Sequence, residues 1–225
     1  FTGWQKPDSV LYAPVPQSNW DQELPMQSMA MIGMGAWNYY LGTGDVQTIR
    51  DIFPAAKRYV HMWKFQPDGL ITYRRGGWDW GDWGTDADMQ AMCQLWYSIT
   101  LEYYARQAEL IGEDEEAEWA RATNEKFKKA IHDACWTGTA YRHPTYEGKT
   151  DDRTQSLAVL SGVAPESEYP QLREIFNTVE FASPYMERYV LEAMCEMGNI
   201  QDAFNRMERR YKPMVDSKHS TLWEL

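Results

Sequence analysis

The run LPMQSMAMIGMGAWNYYLGTGDVQTIRDIFPAAKRYVHMWKF, residues 24–65, holds two kinds of helix joined by one turn. From Leu24 to Tyr40 the residues are almost wholly apolar or small (Met26, Met29, Ala30, Gly33, Met34, Trp37), the composition of a helix buried on several faces. Gly42-Thr43-Gly44-Asp45 ends that helix and caps the next. From Asp45 to Phe65, Ile49, Ile52, Phe53, Ala56, Val60 and Trp63 share one side, while Arg50, Asp51, Lys57 and Arg58 lie elsewhere. The second helix is therefore amphipathic, and Pro54 is expected to kink or restart it.

The same alternation recurs along the chain. Asp88 to Ile111 is of the buried kind, with Met89, Met92, Cys93, Trp96, Thr100 and Tyr103, and Glu113 to Cys135 is amphipathic. Asp152 to Leu160 is apolar, Pro165 to Val179 charged, Pro184 to Met197 more apolar and Ile200 to Tyr211 charged again. Ser183-Pro184 is a good helix start, Ser as N-cap and Pro in the first turn. Residues 1–20, with Pro7, Pro14 and Pro16, read as an extended arm or loop, and strand signals are almost absent.

Each inner-to-outer link is short and built on glycine: Gly42-Thr43-Gly44-Asp45, Gly112-Glu113-Asp114, Gly162-Val163-Ala164-Pro165 and Gly198-Asn199. The other links are mostly longer and rich in aromatic and acidic residues: 19–23, 76–84, 146–152, 180–183 and 220–224. In a ring of antiparallel helix pairs the inner helices run parallel, so all outer-to-inner links emerge on one rim. Loops on a rigid scaffold are a usual place for function. A regular helical repeat array is the competing architecture, but the connecting glycines fall at unequal steps, which favours an α/α barrel.

The richest of these links is Gly76-Gly77-Trp78-Asp79-Trp80-Gly81-Asp82-Trp83-Gly84. Indole faces suit the C–H faces of a sugar ring and carboxylates accept hydrogen bonds from hydroxyls, so the loop reads as the lining of a pocket for a neutral polyol. The plainer reading is a loop whose tryptophans plug a gap between helices.

Bulk properties narrow the function classes. A net charge of −11 argues against nucleic acid and anionic membrane surfaces, which need clustered Lys and Arg. Cys93, Cys135 and Cys195 have no paired spacing, and the four histidines form no metal motif. Buried thiols, no disulfide framework, no metal and no cofactor are expected. No apolar run is long enough to cross a bilayer. The length suits one domain over residues 1–225. The chain opens without an initiator Met, so the lack of a signal peptide assigns no compartment.

With these residues laid out, the chain resembles the catalytic domain of α-L-rhamnosidases of the six-hairpin, (α/α)6-barrel type. The resemblance is carried by Asn19-Trp20-Asp21, by Tyr40-Leu41-Gly42-Thr43-Gly44-Asp45, and by Phe53 to Val60. It continues through Gly81-Asp82-Trp83, Thr154-Gln155-Ser156-Leu157-Ala158-Val159-Leu160 and Ser183-Pro184-Tyr185-Met186. Ser220-Thr221-Leu222-Trp223-Glu224 is similar to the family's Thr-Thr-Ile-Trp-Glu segment. The resemblance implies an all-α toroid of hairpins, incomplete in this chain, and a glycoside hydrolase that releases terminal α-L-rhamnose by an inverting mechanism. It implies Glu224 as general base. Trp20, Asp21, Trp80, Asp82 and Trp83 would line the sugar site, joined on loop chemistry by Glu23, Trp78, Asp79 and Trp223.

The family's general-acid segment has no counterpart here, so the acid is expected before Phe1, in a flanking segment of a longer parent chain; otherwise Glu23, Asp79 or Asp82 must serve. Three plainer roles stay open. Thr221 to Glu224 fits a capping box, Asp152 with Gln155 fits a helix cap, and Asp21 and Glu23 suit the positive end of the first inner helix. Another α/α-barrel carbohydrate enzyme, a different glycosidase or a polysaccharide lyase, and a non-catalytic sugar-binding fragment are the alternative functions.

Overall fold

The computed structural model describes residues 3, 5–13, 23–219 and 221–223. Its helices are α1 (Pro25–Ala30), α2 (Ala36–Thr43), α3 (Val46–His61), α4 (Met89–Ile111), α5 (Asp114–Cys135), α6 (Asp152–Leu160), α7 (Tyr169–Thr178), α8 (Pro184–Glu196) and α9 (Ile200–Val215). Among the described residues, β structure is confined to isolated bridges. No helix among them is long and apolar enough to cross a membrane. The chain forms two compact units, Phe1–Trp80 with Trp96–Ile131, and Gly81–Leu95 with His132–Leu225.

In the first unit, α1 and α2 are one rod broken by a π-helical turn at Met31–Gly35. It lies beside α4. Thr100 Oγ1 donates to the Met29 carbonyl at 3.0 Å, and Gln107 Nε2 donates to the carbonyls of Ile32 at 2.9 Å and Gly33 at 3.2 Å. Residue numbers rise together along both partners, so these two inner helices are parallel. A π turn disturbs the ordinary carbonyl ladder, and the fully buried Gln107 amide supplies donors there. Gly33 lets the rods touch, since a Cβ at that position would stand 2.9 Å from Thr100 Cα.

The return helices are antiparallel. Ser98 pairs with Asn124 at 2.7 Å and Tyr104 with Glu116 at 2.9 Å, so numbers fall along α5 as they rise along α4. The reversal from α2 into α3 uses Gly44 at φ +70°, a left-handed conformation that costs glycine little. The glycines at 112, 162 and 198 repeat it at φ +84°, +67° and +77°. Asp45 caps α3 by accepting from Thr48 N at 3.0 Å.

In the second unit, α6 packs on α8. Asp152 Oδ1 accepts from the amides of Phe181 at 3.2 Å and Ala182 at 3.0 Å, immediately before α8 begins. The N-terminal ends of α6 and α8 therefore lie together, and these helices too are parallel. α9 returns along α8, with Arg206 Nε donating to Glu187 Oε1 at 2.7 Å. Ser183 caps α8 and Pro184 fills its first turn.

Three sequence expectations need correction, and one, that Pro54 kinks or restarts its helix, loses its second branch. α3 continues through Pro54 without restarting, because the rest of its apolar face (Ile49, Phe53, Ala56, Val60) is buried and outweighs one lost ladder bond. The last buried residue of the first inner rod is Ala36, and Met31, Tyr39 and Leu41 are 42%, 44% and 65% exposed. The cap of α6 is Asp151, which accepts from Thr154 N at 2.9 Å, while Asp152 ties down the link before α8. Cys93 and Cys135 are buried thiols, but Cys195 is exposed.

The segment expected to be an extended arm contains a small hairpin turn that the chain uses again. Gln5 bridges Leu11 as Phe65 bridges Ile71. Lys6 N donates to Val10 O and Gln66 N to Leu70 O, both at 2.7 Å, and Asp8 and Asp68 each accept from the amide two residues on. Ser9 and Gly69 occupy the same left-handed position, at φ +76° and +85°.

Candidate active site

Glu23, Trp78, Asp79 and Trp80 sit where two outer-to-inner links of the first unit meet. Glu23 is 9% exposed, and Arg74 grips both its oxygens, at 2.8 Å and 2.7 Å. Its backbone carbonyl accepts from Trp78 N at 3.1 Å, which joins the link before α1 to the aromatic loop. The hydrogen bonds from Arg74 hold the Glu23 carboxyl below the usual carboxylate range, so it stays anionic and is ill suited to protonate a leaving group. Glu23 therefore shapes the loop.

Beyond it, Trp78 and Trp80 stand with ring centres 6.2 Å apart, tilted at 45°, and Trp78 is 36% exposed. Asp79 accepts from the Tyr73 hydroxyl on one oxygen, and Arg75 lies 3.6 Å from the other. Its side chain keeps 21% of its surface exposed. Two tilted indoles flanking a half-buried carboxylate can stack a sugar face and accept hydrogen bonds from its hydroxyls.

In the second unit, Asp82 is 6% exposed and enclosed. It accepts from Ser183 N at 2.8 Å, from the Ser183 hydroxyl and from Arg153 Nη1 at 3.5 Å. Burial pushes its carboxyl up, against the hydrogen bonds from Ser183 and the charge of Arg153. Arg153 also donates to the carbonyls of Trp83 at 3.1 Å, Thr85 at 2.7 Å and Asp86 at 2.9 Å. Asp86 in turn accepts from Lys149 N at 3.0 Å. Three outer-to-inner links, 81–86, 146–152 and 180–183, are thus stitched around one buried guanidinium and one buried carboxylate, with the half-buried Trp83 held among them.

Trp20, Asp21 and Glu224 lie outside the described residues. Trp223, 38% exposed, borders a cavity of about 320 Å³ whose walls include Pro184, Glu187, Arg210, Tyr211 and Met214. Guanidinium, carboxylate and phenol groups there offer both donors and acceptors. Among the described residues, no group of three or more His, Cys, Asp or Glu is placed to hold a metal ion.

With this geometry in hand, comparison with known proteins assigns the lineage. The sequence profile of the bacterial alpha-L-rhamnosidase six-hairpin glycosidase domain matches residues 2–225. The chain belongs to that family. The solved rhamnosidase from Klebsiella oxytoca with rhamnose bound has a TM-score of 0.82 at 24% identity, covering 96% of this chain and 44% of its own. The GH78-family rhamnosidase of Bacillus sp. GL1 has a TM-score of 0.77 at 22% identity, covering 93% of this chain and 24% of its own. That from Dictyoglumus thermophilum has 0.72 at 18%, covering 89% and 24%. The chain is all-helical, shares the fold of these structures over the part of them that it covers, and spans less than half their length. No curated protein sequence is a significant match.

Sequence reasoning overlooked Arg74, Arg153 and Ser183 as loop anchors in this rhamnosidase-family chain. One signal was available: Arg153 stands immediately before the uncharged run Thr154 to Leu160, and a charge at the mouth of a buried helix needs a buried partner.

Proposed function

We propose that this chain is part of the catalytic domain of an inverting glycoside hydrolase that releases terminal α-L-rhamnose, and that Glu224 is its general base. The match to the rhamnosidase domain family over residues 2–225 carries this reading. In an inverting enzyme a carboxylate activates water on one face of the sugar, and a carboxylic acid about 6.5 to 9.5 Å away protonates the leaving oxygen on the other. Glu224 supplies the carboxylate, and the acid comes from a segment of the parent protein outside residues 1–225. Trp20, Asp21, Trp78, Asp79, Trp80, Trp83 and Trp223 line the sugar site. Glu23 and Asp82 are positioning residues, the first holding the aromatic loop through Arg74 and the second through Ser183.

The test is Glu224→Gln in the intact protein, assayed on an aryl α-L-rhamnoside. Turnover falls by orders of magnitude while the circular dichroism spectrum is unchanged. Near-normal turnover would remove Glu224 from the mechanism. Rhamnose binding without hydrolysis in the wild-type intact protein would favour a non-catalytic sugar-binding role, and release of an unsaturated uronide would point to a lyase.

A further inference from the structure

A second buried charge cluster lies in the second unit, beside the link between α7 and α8. Arg206, on the return helix α9, is 1% exposed, and its partners Asp152 and Glu187 are 0% and 1% exposed. All five N–H donors of its guanidinium find acceptors. Nε and Nη2 clasp the two oxygens of Glu187 on α8 at 2.7 Å and 2.9 Å, and Nη2 also reaches Asp152 Oδ2 at the start of α6, at 2.5 Å. Nη1 donates to the carbonyls of Phe176 at 2.7 Å and Val179 at 2.8 Å, where α7 ends. One guanidinium thus joins α6, α7, α8 and α9. Arg210, one turn on, brings a second cation to 3.3 Å from Glu187 Oε2.

The cluster closes on residues 179–183, which are neither helix nor strand. Arg206 holds the Val179 carbonyl, and Arg210 holds those of Glu180, at 3.1 Å, and Ala182. Asp152 Oδ1 holds the amides of Phe181 and Ala182. Side chains here satisfy the backbone groups that a helix would pair by itself. The link ends at Ser183, whose amide and hydroxyl bond Asp82, the residue before Trp83. Any shift of the link is therefore passed to Ser183 and to the carboxylate it holds. Buried charge pairs are a weak source of net stability, since desolvation offsets their attraction, and their clearest use is to fix one geometry.

We propose that Arg206, Arg210 and Asp152 are positioning residues for the sugar site: they set the link, the link sets Ser183 and Asp82, and these set the indole of Trp83. The proposal rests on the reading of Trp83 as a sugar-binding residue. It gives an outer helix, α9, a hold on substrate affinity through bonds made inside the protein.

The test is Asp152→Asn in the intact protein. Asparagine keeps the volume but replaces one accepting oxygen by an NH2 group, which must face either Arg206 or the amides of Phe181 and Ala182, donor against donor. Arg210→Met, at a side chain 18% exposed, loosens the same link with less risk to folding. Glu116→Gln, in the other unit, is the control for lost stability. The indole N–H resonance of Trp83, assigned by its disappearance in Trp83→Phe, is expected to shift in both link variants and to stay in place in the control. On an aryl α-L-rhamnoside, KM should rise about tenfold in Asp152→Asn, and less in Arg210→Met, with kcat within about twofold, the mark of a contact made equally in ground and transition states. Combining Asp152→Asn with Ser183→Ala should raise KM by less than the product of the two separate rises, because both act along one path. The proposal is overturned if the Trp83 resonance is unmoved in both folded link variants, if the control moves it equally, if KM keeps its wild-type value while the resonance shifts, or if the two rises multiply. A wild-type protein that leaves the rhamnoside intact sinks the glycosidase reading instead, and the resonance still decides the positioning.

Discussion

Asp82 and Arg153 face each other at 3.5 Å with both side chains fully buried, and around this pair the loop carrying Trp83 is fixed to α6 and α8. Removing one member of a buried pair leaves an uncompensated charge, so Arg153→Leu is expected to cost about 3–5 kcal/mol in urea unfolding. Asp82→Asn keeps the shape and lets Asp151 remain the partner of Arg153, at 3.3 Å, so a smaller loss of about 1–2 kcal/mol is expected.

Ser183 caps α8 and donates to Asp82, so its hydroxyl serves two elements. Ser183→Ala should therefore exceed the ordinary cap penalty of about 1 kcal/mol. The comparison is with Asp45→Ala, whose cap touches only its own helix turn and the exposed Tyr39 hydroxyl.

Two glycines of the same helical rod should respond in opposite senses. Gly33→Ala drives a methyl group into the backbone at Thr100, and overpacking of that kind costs about 1–3 kcal/mol. At Gly42 an added Cβ meets nothing within 4 Å, and Gly42→Ala should stabilise by about 0.4–1 kcal/mol through the unfolded chain. Thermal unfolding of the two variants, side by side, measures both signs.

Glu116 accepts from Lys57 at 2.8 Å, His61 at 2.9 Å and Tyr104 at 2.9 Å. Partial burial raises its carboxyl, but the hydrogen bonds from His61, Lys57 and Tyr104 outweigh it and hold the group down to about 2, against 4.5 when unperturbed. A depressed acid stabilises the fold above its unfolded pKa, and that contribution is lost as pH falls through the folded one. Stability should decline from about pH 4.5 towards pH 2, and Glu116→Gln should lower stability at neutral pH while flattening that acid limb. Urea midpoints across the range provide the measurement.

Much of this architecture could be read from residue pattern, because its cause is local. The alternation of buried and amphipathic helices follows from which faces meet other helices, and each hairpin reversal needs a left-handed residue, so Gly44 and its three counterparts announced themselves. The parallel run of inner helices was inferable from link lengths and is visible at Thr100 with Met29 and at Asp152 with Ala182. Partners distant in sequence were not legible. Nothing in the letters around Asp82 says that Ser183 and Arg153 will enclose it and bond its oxygens. The twin hairpin turns were missed for another reason: Pro7-Asp8 and Pro67-Asp68 form their bends through side-chain-to-amide bonds, which hydrophobic periodicity does not register.

Those two turns carry a lesson about modularity. Residues 5–11 and 65–71 share only Pro-Asp and a pair of aliphatic residues, yet they close with the same bonds. The bend is therefore written within seven letters and owes little to its neighbours. Ser9 holds by constraint a shape that Gly69 adopts freely, and a Cβ at position 69 would stand 2.9 Å from the Ala130 Cβ, so the glycine segment should graft into 5–11 more readily than the serine segment into 65–71.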